Sequence, residues 1–251
     1  MREYLSSSFP EYKLPKDLMN RPIDILTLGV SVYEQIIKLE EWPSRGSQKT
    51  VPVTWIAYTA GGCAANVSCF SGRLGANTAI ISCIGGGEYG RKVSLEFIES
   101  HVNTSFLVKV PESKGNIVII LTNPMGDWAV LESIDPILRL KEKDLPSRKI
   151  FKSTKILHVD GFSFLYASDK KTIEKAIELA RSAGCIISVD GSTPAAQYHK
   201  EYLSQFFKLG DIIFANKFEG FSANNTNSIK DTINAFQKIA RPLCFLKSIY
   251  C

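Results

Sequence analysis

Five short apolar runs, each beside a glycine, a carboxylate or an amide residue, limit what this chain can fold into. They are "IDILTLG" (23–29), "TAIISCIG" (78–85), "KILHVD" (155–160), "CIISVD" (185–190) and "DIIFAN" (211–216). Each is too short for a core helix and largely apolar, the pattern of a strand buried on both faces. Helical spacing lies between them. In "SDKKTIEKAIELARSAG" (168–184), Ile173, Ala176, Ile177 and Ala180 form a stripe, with Ser168 as the expected cap and Gly184 after it. Val67, Phe70 and Leu74 are spaced as one helical face closed by Gly75. "RKVSLEFIES" (91–100) and a segment near 195–208 read as helices. So does the segment around 228–240, with Ile229, Ile233, Phe236 and Ala240 on one face. "SFLVKV" (105–110) and "PLCFLKS" (242–248) add strands. This alternation predicts an α/β fold: a mostly parallel sheet sandwiched by helices.

Two segments depart from it. "QKTVPVTWIAY" (48–58) and "GNIVIILTNPMGDWAVLES" (115–133) are β-rich, and "NPMGD" reads as a turn between two strands. They predict a small sheet standing off the main one, with lid segments near 32–58 and 107–133; the stretch just after the first strand reads as polar and irregular. Residues 1–22, with three prolines, read as an extended or loosely packed arm, leaving 23–251 as one domain.

The formal net charge of +5 is mild, and the densest basic run, "SRKIFKSTK" (147–155), predicts a solvated loop; no nucleic-acid motif accompanies it. None of the six cysteines forms a CxxC pair and the three histidines are scattered, which excludes zinc-ligand spacing. Cysteines inside apolar runs suit buried thiols. The N-terminal residues lack a signal-peptide core, and no apolar run approaches the ~18 residues of a membrane span. A cytoplasmic protein without membrane or nucleic-acid partners is expected.

Parallel sheets bind ligands beyond the carboxyl ends of their strands. The polar residues there are Glu34, Asp160, Asp190, Asn216 and Glu219, drawn from separate segments to one rim. Three motifs accompany them. In "AGGCAANVSCFSGRLG" (60–75), Gly61 and Gly62 let a ligand approach backbone N–H groups at a helix start, and Asn66 offers a donor and an acceptor to a polyol. A tight turn with close helix–strand packing is the other reading. "GGGEYG" (85–90) satisfies G-x-G-x-x-G, which invites a nicotinamide dinucleotide-binding oxidoreductase, yet the next strand carries no acidic residue for a ribose. "FANKFEG" (214–220) places Asn216 and Glu219 where an N-x-x-E pair holds hydrated magnesium and phosphate oxygens, or else starts a helix.

Taken together, these pieces resemble the ribokinase-like (PfkB) carbohydrate kinase family. "GGCAANVSCFSGRLGANTAIISCIGGGEYGRKV" is similar to its first signature, "NKFE" to its N-x-x-E motif, and the β-rich segments to its lid over the sugar site. The resemblance runs from about Ile23 to the C-terminus. It implies ATP-dependent transfer of phosphate to a sugar hydroxyl with Mg²⁺ as cofactor. Gly61, Gly62 and Asn66 would contact sugar hydroxyls, and Asn216, Glu219 and Asp190 would organise magnesium and phosphate. Glu34 stands where the family has a substrate-binding Asp, one methylene shorter. Cys63 and Gly86 fall at variable or normally acidic places, and Ser192 of "SVDGSTP" where an Asn is common. A homodimer through the lid is a further expectation. The family's second signature, a Gly-Ala-Gly-Asp helix start supplying anion hole and catalytic base, does not occur in the 251 residues. The expectation is therefore a truncated chain that transfers phosphate poorly. A non-catalytic sugar-binding or regulatory module is the alternative.

Overall fold

The computed structural model describes residues 15–44, 46, 48, 50–239 and 243–247. Its strands are β1 (Ile23–Leu28), β2 (Val32–Leu39), β3 (Val53–Gly61), β4 (Thr78–Gly85), β5 (Val102–Val110), β6 (Ile117–Thr122), β7 (Trp128–Ser133), β8 (Thr154–Asp160), β9 (Ile186–Asp190), β10 (Ile212–Asn216) and β11 (Leu243–Lys247). Its helices are α1 (Cys63–Arg73), α2 (Glu88–Glu99), α3 (Arg148–Lys152), α4 (Lys170–Ser182), α5 (Thr193–Tyr198), α6 (Lys200–Phe207), α7 (Lys217–Asn224) and α8 (Ile229–Ile239). Seven strands form one sheet in the order β11-β10-β9-β8-β1-β4-β5, every pairing parallel. The other four form a small mixed sheet, β3-β2-β6-β7.

Strand alternation sends Leu26, Leu28, Leu157, Val159, Ile187, Val189 and Ile213 to one face of the large sheet. There they pack on the predicted stripe of α4, where Ile173, Ala176 and Ala180 are fully buried. Each large aliphatic or aromatic side chain so buried stabilises by about 1.5–3 kcal/mol. The opposite face is covered by α1 and α2 over β1, β4 and β5. Over β8–β11 that same face carries Ile156, Ser188, Ile212, Phe214 and Phe245, which border a cavity of about 930 Å³. Phe214 and Phe245 stack there, centroids 4.9 Å apart, and both are exposed.

Several expectations change. The helix over α1 is present, but Phe70 and Leu74 point to solvent; its buried side is Ala64, Ala65, Ser68, Cys69 and Gly72. Small residues let α1 lie close to its neighbours: a Cβ on Gly72 would strike the Ser100 carbonyl, and Ser68 hydrogen-bonds Thr27 at 2.6 Å. The cap of α4 is Asp169, whose carboxylate accepts from Thr172 N–H; Ser168 is buried, its hydroxyl donating to the Leu140 carbonyl. The basic run at 147–155 is not a loop. It holds α3, anchored by the fully buried Phe151. The stretch after β1 is strand β2, and residues 107–110 continue β5 of the large sheet, so the small sheet uses 117–133 from that region. "NPMGD" is the β6–β7 turn, where Asn123 Oδ1 accepts from Met125 and Asp127 N–H.

Of the expected arm, only 15–22 is described. Leu18 and Arg21 are buried there, and the Arg21 guanidinium donates to the carbonyls of Thr154 and Ala183, 2.8 Å each. Residues 1–14, Ala240 and Cys251 lie outside the described residues. Among the described residues no helix is long and apolar enough to cross a membrane.

Candidate active site

β3 ends at Gly61 and α1 begins at Cys63, so Gly62 must turn the chain; it does so at φ 93°. That is backbone glycine adopts readily and other residues rarely. The turn brings Gly62 N–H to 3.4 Å from Glu34 Oε1, reached from β2 of the small sheet. Burial raises the Glu34 carboxyl above its usual range, the Gly62 bond works against that, and the negative charge of Glu96 adds to it. One turn along α1, Asn66 lines the same space: a cavity of about 360 Å³ between α1 and the small sheet. Glu34, Gly62 and Asn66 are thus brought together, with Gly61 packed directly beneath the Glu34 carboxylate.

Asp160 behaves differently from a rim acid. It is fully buried at the end of β8, Oδ2 accepting from Ala64 N–H (2.8 Å) and Oδ1 from Ser163 N–H (2.8 Å) and Oγ–H (3.0 Å). Burial pushes its pKa up to about 6 against those hydrogen bonds. Its place is to fasten the start of α1 to β8.

The ends of β9 and β10 supply the second group. Asn216 and Glu219 form a reciprocal capping box at the start of α7: Asn216 Oδ1 accepts from Glu219 N–H, and Glu219 Oε2 accepts from Asn216 N–H, 2.9 Å each. Thr193, at the start of α5, donates its hydroxyl to Glu219 Oε1 at 3.1 Å and lies 3.3 Å from Asn216 Nδ2. Nothing in the sequence singled out Thr193; only the folded geometry sets it against the N-x-x-E pair. Ser192 serves as the N-cap of α5, accepting from Ala195 N–H. Asp190 is pushed up to about 8, first by burial, then by the negative charges of Glu219 and Asp160. Burial likewise raises Glu219.

Asp190, Asn216 and Glu219 line the 930 Å³ cavity, and Cys63, Phe162 and Thr193 line both cavities. The two spaces therefore adjoin across the first turn of α1. Among the described residues no three His, Cys, Asp or Glu side chains cluster to enclose a metal ion. Asp190 and Glu219 instead offer hard carboxylate oxygens, with Lys247 as the positive charge lining the same cavity. Such a pair suits a magnesium ion that keeps most of its water and uses one or two carboxylates.

The "GGGEYG" loop is used for close packing of the chain on itself. A Cβ on Gly85, Gly86 or Gly87 would strike the backbone of 111–115, and one on Gly90 would strike the Gly85 carbonyl. These glycines let two segments pack against each other, and the N–H groups of Gly86 and Gly87 already donate to the carbonyls of Val110 and Ser113.

Comparison with known proteins identifies the family and agrees with the fold. The profile of the pfkB family carbohydrate kinases matches residues 24–243. A nucleoside kinase of Methanothermobacter thermautotrophicus is 25% identical over 201 residues, 80% of this chain and 62% of that protein. A ribokinase of Staphylococcus aureus is 26% identical over 220 residues, 86% of this chain and 69% of that one. The chain thus spans under two thirds of the nucleoside kinase it matches. Among solved structures, an Arabidopsis thaliana ribokinase complexed with ribose and ATP superposes with a TM-score of 0.66 at 13% identity, covering 89% of this chain and 71% of that one.

Proposed function

Because the chain belongs to the pfkB family of carbohydrate kinases, we propose that its two adjoining cavities are the halves of a phosphoryl-transfer site. The sugar lies in the 360 Å³ cavity, its hydroxyls on Glu34, Asn66 and the N–H groups of Gly61 and Gly62. The phosphates of ATP lie toward Asp190 and Asn216, and Glu219 holds a hydrated Mg²⁺. When bound, that ion neutralises charge on the phosphates; this chain's own residues position sugar and nucleotide. The observation that carries the reading is the shared wall of Cys63, Phe162 and Thr193, which brings the sugar space against the Asp190–Asn216–Glu219 rim. The ribose and ATP bound by the Arabidopsis ribokinase support the same pairing of ligands.

Phosphoryl transfer also needs an anion hole and a base that orients the sugar hydroxyl. The resemblance assigns both to a Gly-Ala-Gly-Asp run, which does not occur in these 251 residues. We therefore expect polypeptide 1–251 by itself to bind sugar without useful turnover. The exposed Ile56, Tyr58 and Leu131 lie on the small sheet's face opposite Glu34, and a homodimer through that face is part of the proposal.

The test is incubation of purified 1–251 with Mg·ATP and a panel of pentoses, hexoses and ribonucleosides. Binding is followed by calorimetry and product by phosphorus NMR. Saturable binding without a phosphate ester supports the reading. Ester formation at a kinase-like rate refutes the assignment of the base, and failure of every compound to bind refutes the sugar site.

A further inference from the structure

The inner face of the small sheet carries a pattern that a free sugar does not use. Residues at every second position share a face, so Glu34 on β2, Val118 and Ile120 on β6, and Trp128, Val130 and Glu132 on β7 all face the 360 Å³ cavity. Val118 is in register with Glu34 on one side and Glu132 on the other. The two carboxylates therefore stand on strands two spacings apart, roughly 9–10 Å, too far for one pentose ring to engage both.

Between them the wall is apolar. Trp128 and Val130 are exposed although they face the cavity. Across from the sheet, the rings of Phe162 and Tyr166 lie nearly parallel, centroids 6.1 Å apart and 25° between planes. The Tyr166 hydroxyl donates to Glu132 Oε2 at 3.2 Å, which fixes that carboxylate at the cavity edge. A free hexose or pentose bears a hydroxyl on nearly every carbon and would leave several of them unpaired against Val118, Ile120 and Val130. A ligand that fits has hydroxyls at one end, a flat apolar ring in the middle and an N–H donor at the far end.

We propose that this site takes a ribonucleoside whose base carries an exocyclic amino group. The ribose hydroxyls lie on Glu34, the base lies over Val118 and against the aromatic rings, and the amino group donates to Glu132. Glu132 is thereby a specificity-determining residue. An ionised carboxylate only accepts hydrogen bonds, so it favours the amino group of adenosine or cytidine over the carbonyl of inosine or uridine at the same position.

The inference rests on the sugar-site reading above, and its test separates the two. Polypeptide 1–251 is titrated calorimetrically with ribose, adenosine, inosine, cytidine and uridine, alongside the Glu132→Gln variant. We expect adenosine or cytidine to bind at least about tenfold more tightly than ribose, and tighter than inosine or uridine respectively. In Glu132→Gln the amino-over-carbonyl preference falls to within about twofold, because an amide both donates and accepts; ribose binding is unchanged. Ribose binding as tightly as any nucleoside overturns the nucleoside inference while leaving the sugar site standing. Nucleoside preference untouched by Glu132→Gln overturns the role of Glu132. Failure of ribose and nucleosides alike overturns both readings.

Discussion

The carboxyl group of Glu34 occupies the space that a side chain on Gly61 would need. Gly61 is in register with Val32 and Glu34 with Thr59, so the two residues are diagonal neighbours on one face of the antiparallel β2–β3 pair, and this contact sets the Glu34 carboxylate beside Gly62 N–H. A methyl at position 61 must push the carboxylate away. We expect Gly61→Ala to weaken sugar binding by about tenfold or more, the loss of one charged hydrogen-bond acceptor, with modest loss of stability. Gly62→Ala should do the reverse. Its φ of 93° and the Val30 carbonyl beside it make any side chain strained, at a cost of roughly 1–3 kcal/mol. Urea denaturation separates the two variants.

Asp160 is predicted to be structural. Asp160→Asn keeps one acceptor oxygen but turns an amide toward Ala64 N–H or Ser163 N–H. That substitution should cost about 1–3 kcal/mol and accelerate amide exchange at the start of α1. The ranking of ligands that still bind should not change. An altered ligand ranking at unchanged stability would place Asp160 in the site instead.

Both results bear on what the sequence alone reveals. The strands of the large sheet were legible because apolar runs closed by Gly, Asp or Asn have few other uses. The stripe of α4 was legible because large residues mark its buried face. α1 was misread for the opposite reason: Ala64, Ala65, Ser68 and Gly72 give no hydrophobic period, while Phe70 and Leu74 give one that faces solvent. β2 falls inside the expected lid segment near 32–58 but is not readable as a strand, because Glu34, Gln35 and Lys38 break its apolar pattern. In the site, Glu34, Gly61, Gly62, Asn66, Asn216 and Glu219 were nameable as motif positions. Thr193 and Glu132 were not, since they reach the cavities only through strand register and helix placement.

The pH dependence of stability above about pH 6 follows chiefly from Asp190, while Asp160, pushed up to about 6, adds to it at lower pH. The folded-state pKa of Asp190, pushed up to about 8, lies above the usual carboxylate value. The folded state therefore holds this proton more tightly than the unfolded state does, and stability falls as pH rises from about 4 to about 8 before levelling. In Asp190→Asn the decline above about pH 6 should flatten, and the variant should melt several degrees above the parent at pH 8. Thermal unfolding across pH 5–9 measures both.

Magnesium should oppose that decline. Deprotonated Asp190 and Glu219 repel each other, so added Mg²⁺ should raise the melting temperature more at pH 9 than at pH 6. Glu219→Gln preserves the capping box through the Gln oxygen, so it should melt near the parent yet lose most of the magnesium response. An equal response in parent and variant would remove Glu219 from the metal assignment.

The proposed lid pairing predicts concentration-dependent mass in light scattering. Leu131→Lys, which places a charge on the exposed apolar face, should yield a monomer with unchanged ligand affinity. A parent that stays monomeric at every concentration contradicts the dimer.

The central claim is that the cavity between α1 and the small sheet binds the sugar moiety through Glu34. The direct measurement is calorimetric titration of the parent and of Glu34→Ala with ribose and adenosine, with thermal melts of both proteins. The account predicts one saturable site in the parent and binding at least about 30-fold weaker in Glu34→Ala, at a similar melting temperature. Undiminished binding by a folded Glu34→Ala protein would contradict it.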